Sequence, residues 1–437
     1  MFGLFKTTDD SANDLGGDFI AYANASAALT VQPKAAAGPA SSPAIGKSGV
    51  VATATTSASV LSDMIAHETN GSLSFAGALA VLRDAAAQPM TSALYVSLQV
   101  AAKALNVAGG VATGGYVQQI FDDVVLGNSA NKNWNGGSTT PTPLGNLSAT
   151  SSATQFNKLI GKWFLGTDLP GDASAPGASP SGIAYQTYAL PLFASAGPQI
   201  TDVNQGQLGD CWFLAAVAET ALLNPSLIKN MIVAHANGAY SVEFWVNGKA
   251  DFVTVNAALP SYTNGSMQWD GSRMVDANST TSLWVPLVEK ALAQLAEQSG
   301  VVTGMQFAGG QNQYYELNAG AGEGVSLITG QSSAAYSIGG QSPGGLATLL
   351  GQMNALFSTG HDVLMGTSGQ AVSGDLVASH MFAVTGVDVA NGLVSLYNPW
   401  GANGVGAGKP ESFTIAASAL AADNAWFYAG LGVSKAA

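Results

Sequence analysis

Helix-type and strand-type hydrophobic patterns occupy separate parts of this chain, and their separation restricts the fold more than any other feature of the sequence. Apolar residues recur at three- and four-residue spacing from about residue 59 to residue 128, as expected for amphipathic helices. From about residue 345 onward, the chain contains short runs typical of strands, separated by Gly and Asn. Helices and strands segregated in this way predict an α+β fold.

The beginning of the chain lacks such periodicity. Residues 24–60 consist mainly of Ala, Ser, Thr, Gly and Pro, and they lack the large apolar side chains that offset the entropy of ordering. We therefore predict a low-complexity tail or linker over residues 1–60 and a mainly α-helical region of unknown role over residues 61–180. Its helices are expected in the segments SVLSDMIAHETN, SFAGALAVLRDAAAQ, MTSALYVSLQVAAKALN, YVQQIFDDVVLGN and ATQFNKLIGKWFLG.

The second half divides into two further regions. The segment GDCWFLAAVAETALLNP predicts a strongly apolar helix with Asp210 as its N-cap, and LWVPLVEKALAQLAEQ predicts another helix. Asn247-Gly248 between two alternating runs predicts a hairpin with a type I′ turn. We expect a helical lobe over residues 190–340 and a β-rich lobe over residues 341–437.

Charge and cysteine content exclude several classes of protein. The 437 residues include 14 Lys+Arg against 27 Asp+Glu, a net charge of −13, so the chain is poorly suited to neutralise nucleic-acid phosphates. The most apolar unbroken run, Trp212 to Ala218, is far shorter than the ~20 residues of a membrane span. One Cys permits neither an intramolecular disulfide nor a zinc site of several thiolates. The chain is therefore predicted to have no nucleic-acid partner and no membrane span.

The single cysteine, Cys211, is the first candidate for chemistry. A free Cys is most often a small buried hydrophobe. Cys211, however, lies at the predicted start of a helix, where free N–H groups and the helix dipole are expected to favour thiolate over thiol. Gly206 and Gly209 precede it and would let the backbone turn sharply beside a substrate.

A nucleophilic thiol also needs a proton acceptor, and the chain has four histidines. The sequence contexts of His67, His235 and His361 suggest surface positions. His380 lies at the start of a predicted strand, and Asn398, 18 residues later, ends the next predicted strand. Neighbouring strands could bring the two side chains together, and an amide oxygen would then fix the imidazole tautomer. On its own, Asn398-Pro399 would be an ordinary turn.

Several segments resemble one known family. The segment QGQLGDCWFLAA resembles the active-site segment of the calpain-type, papain-like cysteine proteases, and HMFAVTGV and LYNPWG resemble the histidine and asparagine segments of that family. The Trp-containing hairpin EFWVNGKADFVTVNAALP and the helix LWVPLVEKALAQL also resemble family segments, in the same order. The resemblance covers roughly residues 190–430 and implies a two-lobed core with Cys on the helical lobe and His and Asn on the β-rich lobe. It suggests a bacterial-type member without EF-hand domains.

The resemblance also assigns roles within this site. It implies that Cys211 is the nucleophile, His380 the general acid/base and Asn398 the residue that orients the imidazole. Gln205 corresponds to the side-chain donor of the oxyanion hole, which works with the Cys211 backbone N–H. Trp400 corresponds to the tryptophan that shields the His–Asn contact from water.

Calcium is the ion that the resemblance brings into question. Asp202 and Gly197 correspond to a carboxylate and a carbonyl ligand of the first calcium site in the core. The second acid of that site is replaced by Ser282-Leu283, and the acidic loop after NPWG is replaced by ANGVGAGKP, which has no acid. The sequence therefore predicts no required cofactor and, at most, one weak calcium site at Asp202 and Gly197.

The main hypothesis is a cysteine endopeptidase, either calcium-influenced or calcium-independent, acting on protein or peptide substrates. Two alternatives remain: a non-catalytic surface or binding protein on a degenerate calpain fold, and an acyltransferase that uses the same three residues. Residues 1–180 could be an intramolecular propeptide, a substrate-recruiting module or an export region. Low charge and abundant Gly slightly favour an extracellular over a cytoplasmic location.

Overall fold

A computed structural model describes most of the chain after the N-terminal tail. The described residues are 58–171, 183–206, 208–263, 277, 281–298, 310–318, 320, 322–369 and 374–430. They lie within one compact unit, Val50–Ala437. The predicted tail over residues 1–60 falls outside them except for its last three residues, which already belong to the first helix.

The N-terminal region is helical, as predicted. Ser74, Thr91 and Ser152 cap three of its helices by accepting a backbone N–H, which explains where these helices begin. A π-helical turn, Gly161–Leu165, extends the last helix. The helices are α1 (Ala58–Ala66), α2 (Phe75–Ala86), α3 (Ser92–Lys103), α4 (Gly115–Val125) and α5 (Ala153–Ile160). The strands are β1 (Glu68–Thr69), β2 (Ser72–Leu73), β3 (Ala112–Thr113), β4 (Asn133–Trp134) and β5 (Thr142–Pro143).

The helical lobe surrounds the apolar helix that begins at the cysteine. Its helices are α6 (Cys211–Leu223), α7 (Pro225–Met231), α8 (Trp284–Leu295) and α9 (Glu323–Thr329). Its strands are β6 (Ile183–Thr187), β7 (Ile232–Ala234), β8 (Ala239–Val246), β9 (Lys249–Asn256) and β10 (Ala258–Tyr262). The predicted hairpin is confirmed: β8 pairs with β9, and Asn247 and Gly248 have φ values of 50° and 74°, as a type I′ turn requires.

The β-rich lobe is an antiparallel sheet with helices beside it. Within the described residues its strand order is β11-β16-β12-β13-β14-β15. The strands are β11 (Ser333–Ser337), β12 (Val363–Gly366), β13 (Met381–Asp388), β14 (Leu393–Tyr397), β15 (Ser412–Ala416) and β16 (Trp426–Gly430). The helices are α10 (Pro343–Ser358), α11 (Gly401–Gly406) and α12 (Ala417–Ala422). Because β11 belongs to this sheet, the β-rich lobe begins before the predicted boundary at residue 341.

The two lobes share part of one apolar core. The core of the helical lobe includes the whole apolar face of α6, and Leu364, Met381 and Tyr397 of the β-rich lobe pack into it. Helix α6 packs directly against β12 and β13. This arrangement places the first residue of α6 next to the first residue of β13, where the candidate site lies.

The N-terminal region packs on other parts of the helical lobe. Helix α4 and the π-helical turn contact β9. The Thr254 hydroxyl donates to the Trp163 carbonyl at 2.6 Å, and the His235 ring stacks on Phe75 with centroids 3.7 Å apart. The sequence-based assignment of His235 to the surface is therefore wrong, because aromatic rings of the N-terminal region cover it.

Among the described residues, no single helix is long and apolar enough to cross a membrane. One pair, α6 with α7, reaches that length and composition only when taken together across a bend of 117°.

Candidate active site

Cys211 occupies the first turn of α6, in the seam between the lobes. Its side chain is partly exposed, and Sγ lies against the backbone N–H of Met381 at the start of β13. The turn that leads into Cys211 is fixed from the helical lobe, because the Gly209 N–H donates to Asn318 Oδ1 at 2.6 Å. Trp212, which follows, is buried and donates from Nε1 to the Leu317 carbonyl at 2.9 Å. The backbone therefore presents the thiol toward the β-rich lobe.

His380 is presented at the start of β13 by a sharp turn. The preceding residue, Ser379, has a φ of 49°, which is uncommon for a residue other than Gly. The His380 N–H donates to Thr367 Oγ1 at 3.1 Å, and the Thr367 N–H donates back to the His380 carbonyl at 2.9 Å. Two aromatic rings flank the imidazole, Phe382 at 4.8 Å and Trp400 at 5.1 Å between centroids. These contacts leave His380 only 6% exposed and exclude most water from its ring.

The contact predicted between His380 and Asn398 is present. Strands β13 and β14 pair antiparallel, and His380 Nε2 lies 2.8 Å from Asn398 Oδ1. The same oxygen accepts the Trp400 backbone N–H at 3.1 Å. Because a backbone N–H can only donate, the atom it meets must be the amide oxygen, so Nε2 carries the proton. The basic nitrogen of the neutral ring is therefore Nδ1.

The electrostatics of the thiol differ from the sequence-based expectation. Burial raises the pKa of Cys211 to about 11, and the neighbouring Asp210 charge also raises it. The backbone N–H groups of Cys211 and Trp212 at the helix start do lower the pKa of the thiol, as expected, but desolvation and the Asp210 carboxylate outweigh them. Burial likewise lowers the pKa of His380 to about 4. Thiol and imidazole are both neutral near pH 7, and no hydrogen bond joins these two described side chains.

Gln205 lies buried on the segment that precedes the nucleophile. Its Nε2 donates to the Leu208 carbonyl at 2.6 Å, and the residue is 4% exposed. One of its two amide hydrogens is thereby used within the turn.

Asp210 is in the predicted N-cap position but does not cap the helix. Its side chain makes no hydrogen bond to the first turn of α6. The carboxyl group instead points into the helical lobe, and burial raises its pKa to about 6, with the Glu289 and Gln205 side chains offsetting part of that rise. The expected capping role is wrong because the side chain is fully buried.

The residues of the predicted first calcium site do not fit a calcium ion well. Asp202 Oδ2 already accepts the Gln199 N–H at 2.9 Å and the Trp284 Nε1–H at 2.8 Å. The Lys229 side chain ends beside Gly197, so that a Cβ on Gly197 would lie 2.9 Å from its Nζ. Calcium is usually bound by 6–8 oxygens that include several carboxylates. A single committed carboxylate next to an ammonium group is a poor substitute.

The segment where a second site would lie carries a cation of the protein itself. Lys409 Nζ donates to the Gly374 carbonyl at 2.5 Å and to the Leu376 carbonyl at 2.7 Å. An ammonium group thus meets backbone oxygens in this loop, and residues 402–408 supply no acid. Neither set of residues fits a resident calcium ion.

No sequence pattern marks several residues that connect the two halves of the site. Asn204 and Asn403 make hydrogen bonds between the lobes, and Thr367 holds the His380 backbone. These contacts join residues 13 to 198 positions apart, and no local pattern marks them. Phe382 could have been found from the alternation of the predicted strand, which places it on the same face as His380.

Comparisons with known proteins assign a family to the region that contains this fold. A family model described as calpain family cysteine protease matches residues 184–407, about half of the chain. The calpain-type cysteine protease DEK1 of Arabidopsis thaliana is 31% identical over 220 residues, which are 48% of this chain and 9% of that protein. Calpain-8 of Homo sapiens is 29% identical over 229 residues, and the calpain-2 catalytic subunit of Gallus gallus is 28% identical over 231 residues. Each of these two alignments covers 48% of this chain and 29% of the relative.

A mixed helix and sheet core with a cysteine, a histidine and an asparagine at one seam defines a papain-like fold. The chain belongs to the calpain family of cysteine proteases. It spans only about a tenth to three tenths of the length of the relatives above. The predicted α+β class and family are thereby confirmed, while the bacterial-type subgroup remains a prediction.

Proposed function

We propose that this protein is a cysteine endopeptidase that cleaves protein or peptide substrates through a thioester on Cys211. The observation that carries this proposal is the His380–Asn398 hydrogen bond of 2.8 Å, which leaves Nδ1 as the basic nitrogen of a ring at the start of β13, beside the thiol. Family membership supports the reaction class.

The first step begins from neutral groups. As a peptide carbonyl approaches, the Cys211 thiol gives its proton to His380 Nδ1, and the sulfur attacks the carbonyl carbon. Asn398 accepts from Nε2–H throughout and stabilises the imidazolium that forms.

The negative charge that develops on the carbonyl oxygen needs donors. The backbone N–H of Cys211 begins a helix and has no intrahelical partner, and Gln205 has a second amide N–H that Leu208 does not occupy and that also interacts with the Asp210 carboxyl. We assign these two groups to the oxyanion hole. Trp400 covers the imidazole and keeps the His–Asn contact dry.

The intermediate then collapses. His380 Nδ1–H gives its proton to the leaving amine, the C–N bond breaks, and the acyl group remains on sulfur as a thioester. Water replaces the amine and gives a proton to the same nitrogen, and its oxygen bonds to the acyl carbon. The C–S bond then breaks, Nδ1–H returns its proton to the sulfur, and a carboxylic acid leaves with the Cys211 thiol and the neutral imidazole restored.

Labelling with an epoxide inhibitor of cysteine proteases tests this proposal. We expect one covalent adduct on Cys211 and cleavage of a fluorogenic peptide by the wild type, and neither by Cys211→Ala. His67→Ala, a change in the N-terminal region, serves as the matched control and should retain both. Undiminished peptide cleavage by Cys211→Ala would refute the proposal.

The two alternatives predict different products. An acyltransferase would pass the acyl group to an added amine in preference to water, which mass spectrometry of the products distinguishes. A non-catalytic binding protein would give neither adduct nor cleavage, and the raised pKa of Cys211 is the one observation in its favour.

A further inference from the structure

Two short segments meet at the seam between the lobes, and each carries half of the proposed site. We call residues 203–205 the oxyanion segment, since they lead to Gln205, and residues 397–403 the asparagine segment, since they contain Asn398. Backbone and side-chain hydrogen bonds join them: the Tyr397 hydroxyl donates to the Val203 carbonyl at 2.8 Å, and the Gln205 N–H donates to the Pro399 carbonyl at 2.8 Å.

Two asparagines cross this seam in opposite directions. Asn204, on the helical lobe, accepts the Ala402 N–H at 2.9 Å, and Asn403, on the β-rich lobe, donates from Nδ2 to the Gln205 carbonyl at 2.7 Å. A backbone N–H can only donate and a carbonyl can only accept, so these partners fix the orientation of both amides. Asn204 is 8% exposed and Asn403 is 7% exposed, so both side chains are largely buried, and the Asn403 bond is buried as well.

The close approach of the segments depends on a glycine. Gly401 has a φ of 51°, and a Cβ at this position would lie 2.6 Å from Asn204 Oδ1 and 2.7 Å from the Val203 carbonyl. Both separations are too short for any side chain. The contact between the two segments is thus a packed joint, in which a small displacement would break several hydrogen bonds together.

We propose that Asn204 and Asn403 form an amide latch that holds the oxyanion segment against the asparagine segment and so aligns the proposed site without a metal ion. The latch rests on the proposed function, because it deepens the account of that same site. Both asparagines act as positioning residues: Asn403 fixes the Gln205 backbone, and Asn204 fixes the turn that follows Asn398.

The poor fit of the one predicted weak calcium site, together with the lysine in the loop of the β-rich lobe, supports this assignment. Asp202 is committed to two N–H donors, and Lys409 already meets two carbonyl oxygens in the loop of the β-rich lobe. In this region the neutral amides of Asn204 and Asn403 join the two lobes, and a lysine ammonium group binds the backbone oxygens of the loop. A bound divalent ion is therefore not needed to hold these segments together. Alignment through such contacts requires no change in ion concentration.

The test measures kcat and KM for a fluorogenic peptide with the full chain, in a chelator and in about 5 mM CaCl2, which exceeds the ~10⁻³ M dissociation constants of weak sites. The wild type should be equally active within about twofold under both conditions. Asn403→Ala should lose about tenfold in kcat with little change in KM, as expected for one lost hydrogen bond that acts on alignment.

Two further variants separate alignment from packing. Asn403→Asp keeps the shape of the side chain but replaces the donor with a second oxygen facing the Gln205 carbonyl, so it should be at least as impaired as Asn403→Ala. Asn391→Ala removes an exposed asparagine that bonds to Asp388 in the hairpin turn at the far end of β13 and β14, and it should retain wild-type kinetics. Far-UV circular dichroism verifies that each variant is folded.

Hydrogen exchange of the Gln205 amide gives a readout that needs no activity. This N–H is protected by a bond between the lobes, so it should exchange faster in Asn403→Ala than in the wild type or in Asn391→Ala. If the wild type neither cleaves peptide nor reacts with the inhibitor, the proposed function is refuted. The amide latch is then tested by the exchange rate of the Gln205 N–H alone. The amide latch would be refuted by any of three results: unchanged exchange of the Gln205 N–H in Asn403→Ala, an unchanged kcat in that folded variant, or activation of the wild type more than tenfold by calcium.

Discussion

The helical lobe is joined to its two neighbours by different chemistry. Toward the N-terminal region, the fully buried Lys162 ammonium of that region contacts Glu297 of the helical lobe at 2.6 Å, and Asp168 of its own region at 2.8 Å. The three hydrogen bonds of this ammonium group go to Glu297 and to the carbonyls of Ala130 and Asn133, the last two at 2.7 and 3.0 Å. Toward the β-rich lobe, the seam beside the site is joined instead by neutral amides, hydroxyls and backbone groups.

This difference implies different functions for the two interfaces. Separating buried charges leaves each one without its partner, and breaking such a pair costs about 3–5 kcal/mol. A neutral hydrogen bond contributes only about 0.5–1.5 kcal/mol, because water replaces either partner readily. The contact of the N-terminal region with the helical lobe therefore includes a buried ion pair whose loss is costly, whereas several weaker neutral hydrogen bonds together hold the seam at the site.

The largest effect should come from His380→Ala. This variant tests whether the residues at the seam between the helical and β-rich lobes contribute to catalysis rather than to stability. Removal of the general acid/base should lower kcat/KM by about 10⁴-fold or more. The free energy of unfolding should change by only about 1 kcal/mol, since one hydrogen bond to Asn398 is lost. Peptide cleavage and urea unfolding measure the two quantities. Loss of stability comparable to that of a buried ion pair would contradict this division.

Lys162→Met tests the other interface. The apolar side chain leaves Asp168 and Glu297 buried without their cation, so the free energy of unfolding should fall by about 3–5 kcal/mol. Lys158→Met is the matched control from the same helical segment, because the partly exposed Lys158 contacts only the Trp134 ring, at 5.2 Å, and should cost less than about 1 kcal/mol. Urea unfolding compares the two variants. Equal stability would show that the N-terminal region is held by its apolar contacts alone.

The smallest effect is a pH dependence that distinguishes the interfaces. Burial raises the pKa of Glu297 from 4.5 to about 7, although Lys162 opposes that rise. The folded state then binds more protons than the unfolded state between these values, so this group lowers stability as pH rises through about 4.5 to 7. His380 has a lowered pKa and acts with the opposite sign, losing stability as pH falls from 6.5 toward 4.

Glu297→Gln isolates the contribution of that carboxyl group. Between pH 5 and pH 8 the stability difference between wild type and variant should shift by about 1–3 kcal/mol in favour of the variant. Urea unfolding at both pH values measures this shift. A shift of the opposite sign would mean that Lys162 outweighs burial and that the pKa of Glu297 is lowered in the folded protein.

Local patterns predicted the parts of the structure that local interactions determine. The Asn247-Gly248 hairpin, the apolar helix from Cys211 and the contact between His380 and Asn398 each follow from a turn signal or from neighbouring strands. The family resemblance added Gln205 and Trp400, whose isolated contexts indicate only polar or aromatic loop residues. Their roles remain proposals.

Long-range contacts account for most of what the sequence did not reveal. Lys162 lies in a segment that alternates like a surface helix, and only the π-helical turn and the distant Glu297 explain its burial. Strand β6 pairs with β10 although Ile183 and Tyr262 are 79 positions apart. The hydrophobic pattern of neither strand indicates which strand is its partner. The pKa of Cys211 depends on β13 packing over the thiol, which no property of the helix start predicts.

The order of strands in the sheet of the β-rich lobe has a consequence for synthesis of the protein. Strand β16, Trp426–Gly430, lies between β11 and β12, so β11 has no partner in the sheet until the ribosome has made residue 430. The strands that carry His380 and Asn398 emerge earlier, but the lobe that supports them remains open. A nascent chain can therefore pair β12 to β15 around His380 and Asn398 first, and the sheet is completed only when β16 inserts between β12 and β11.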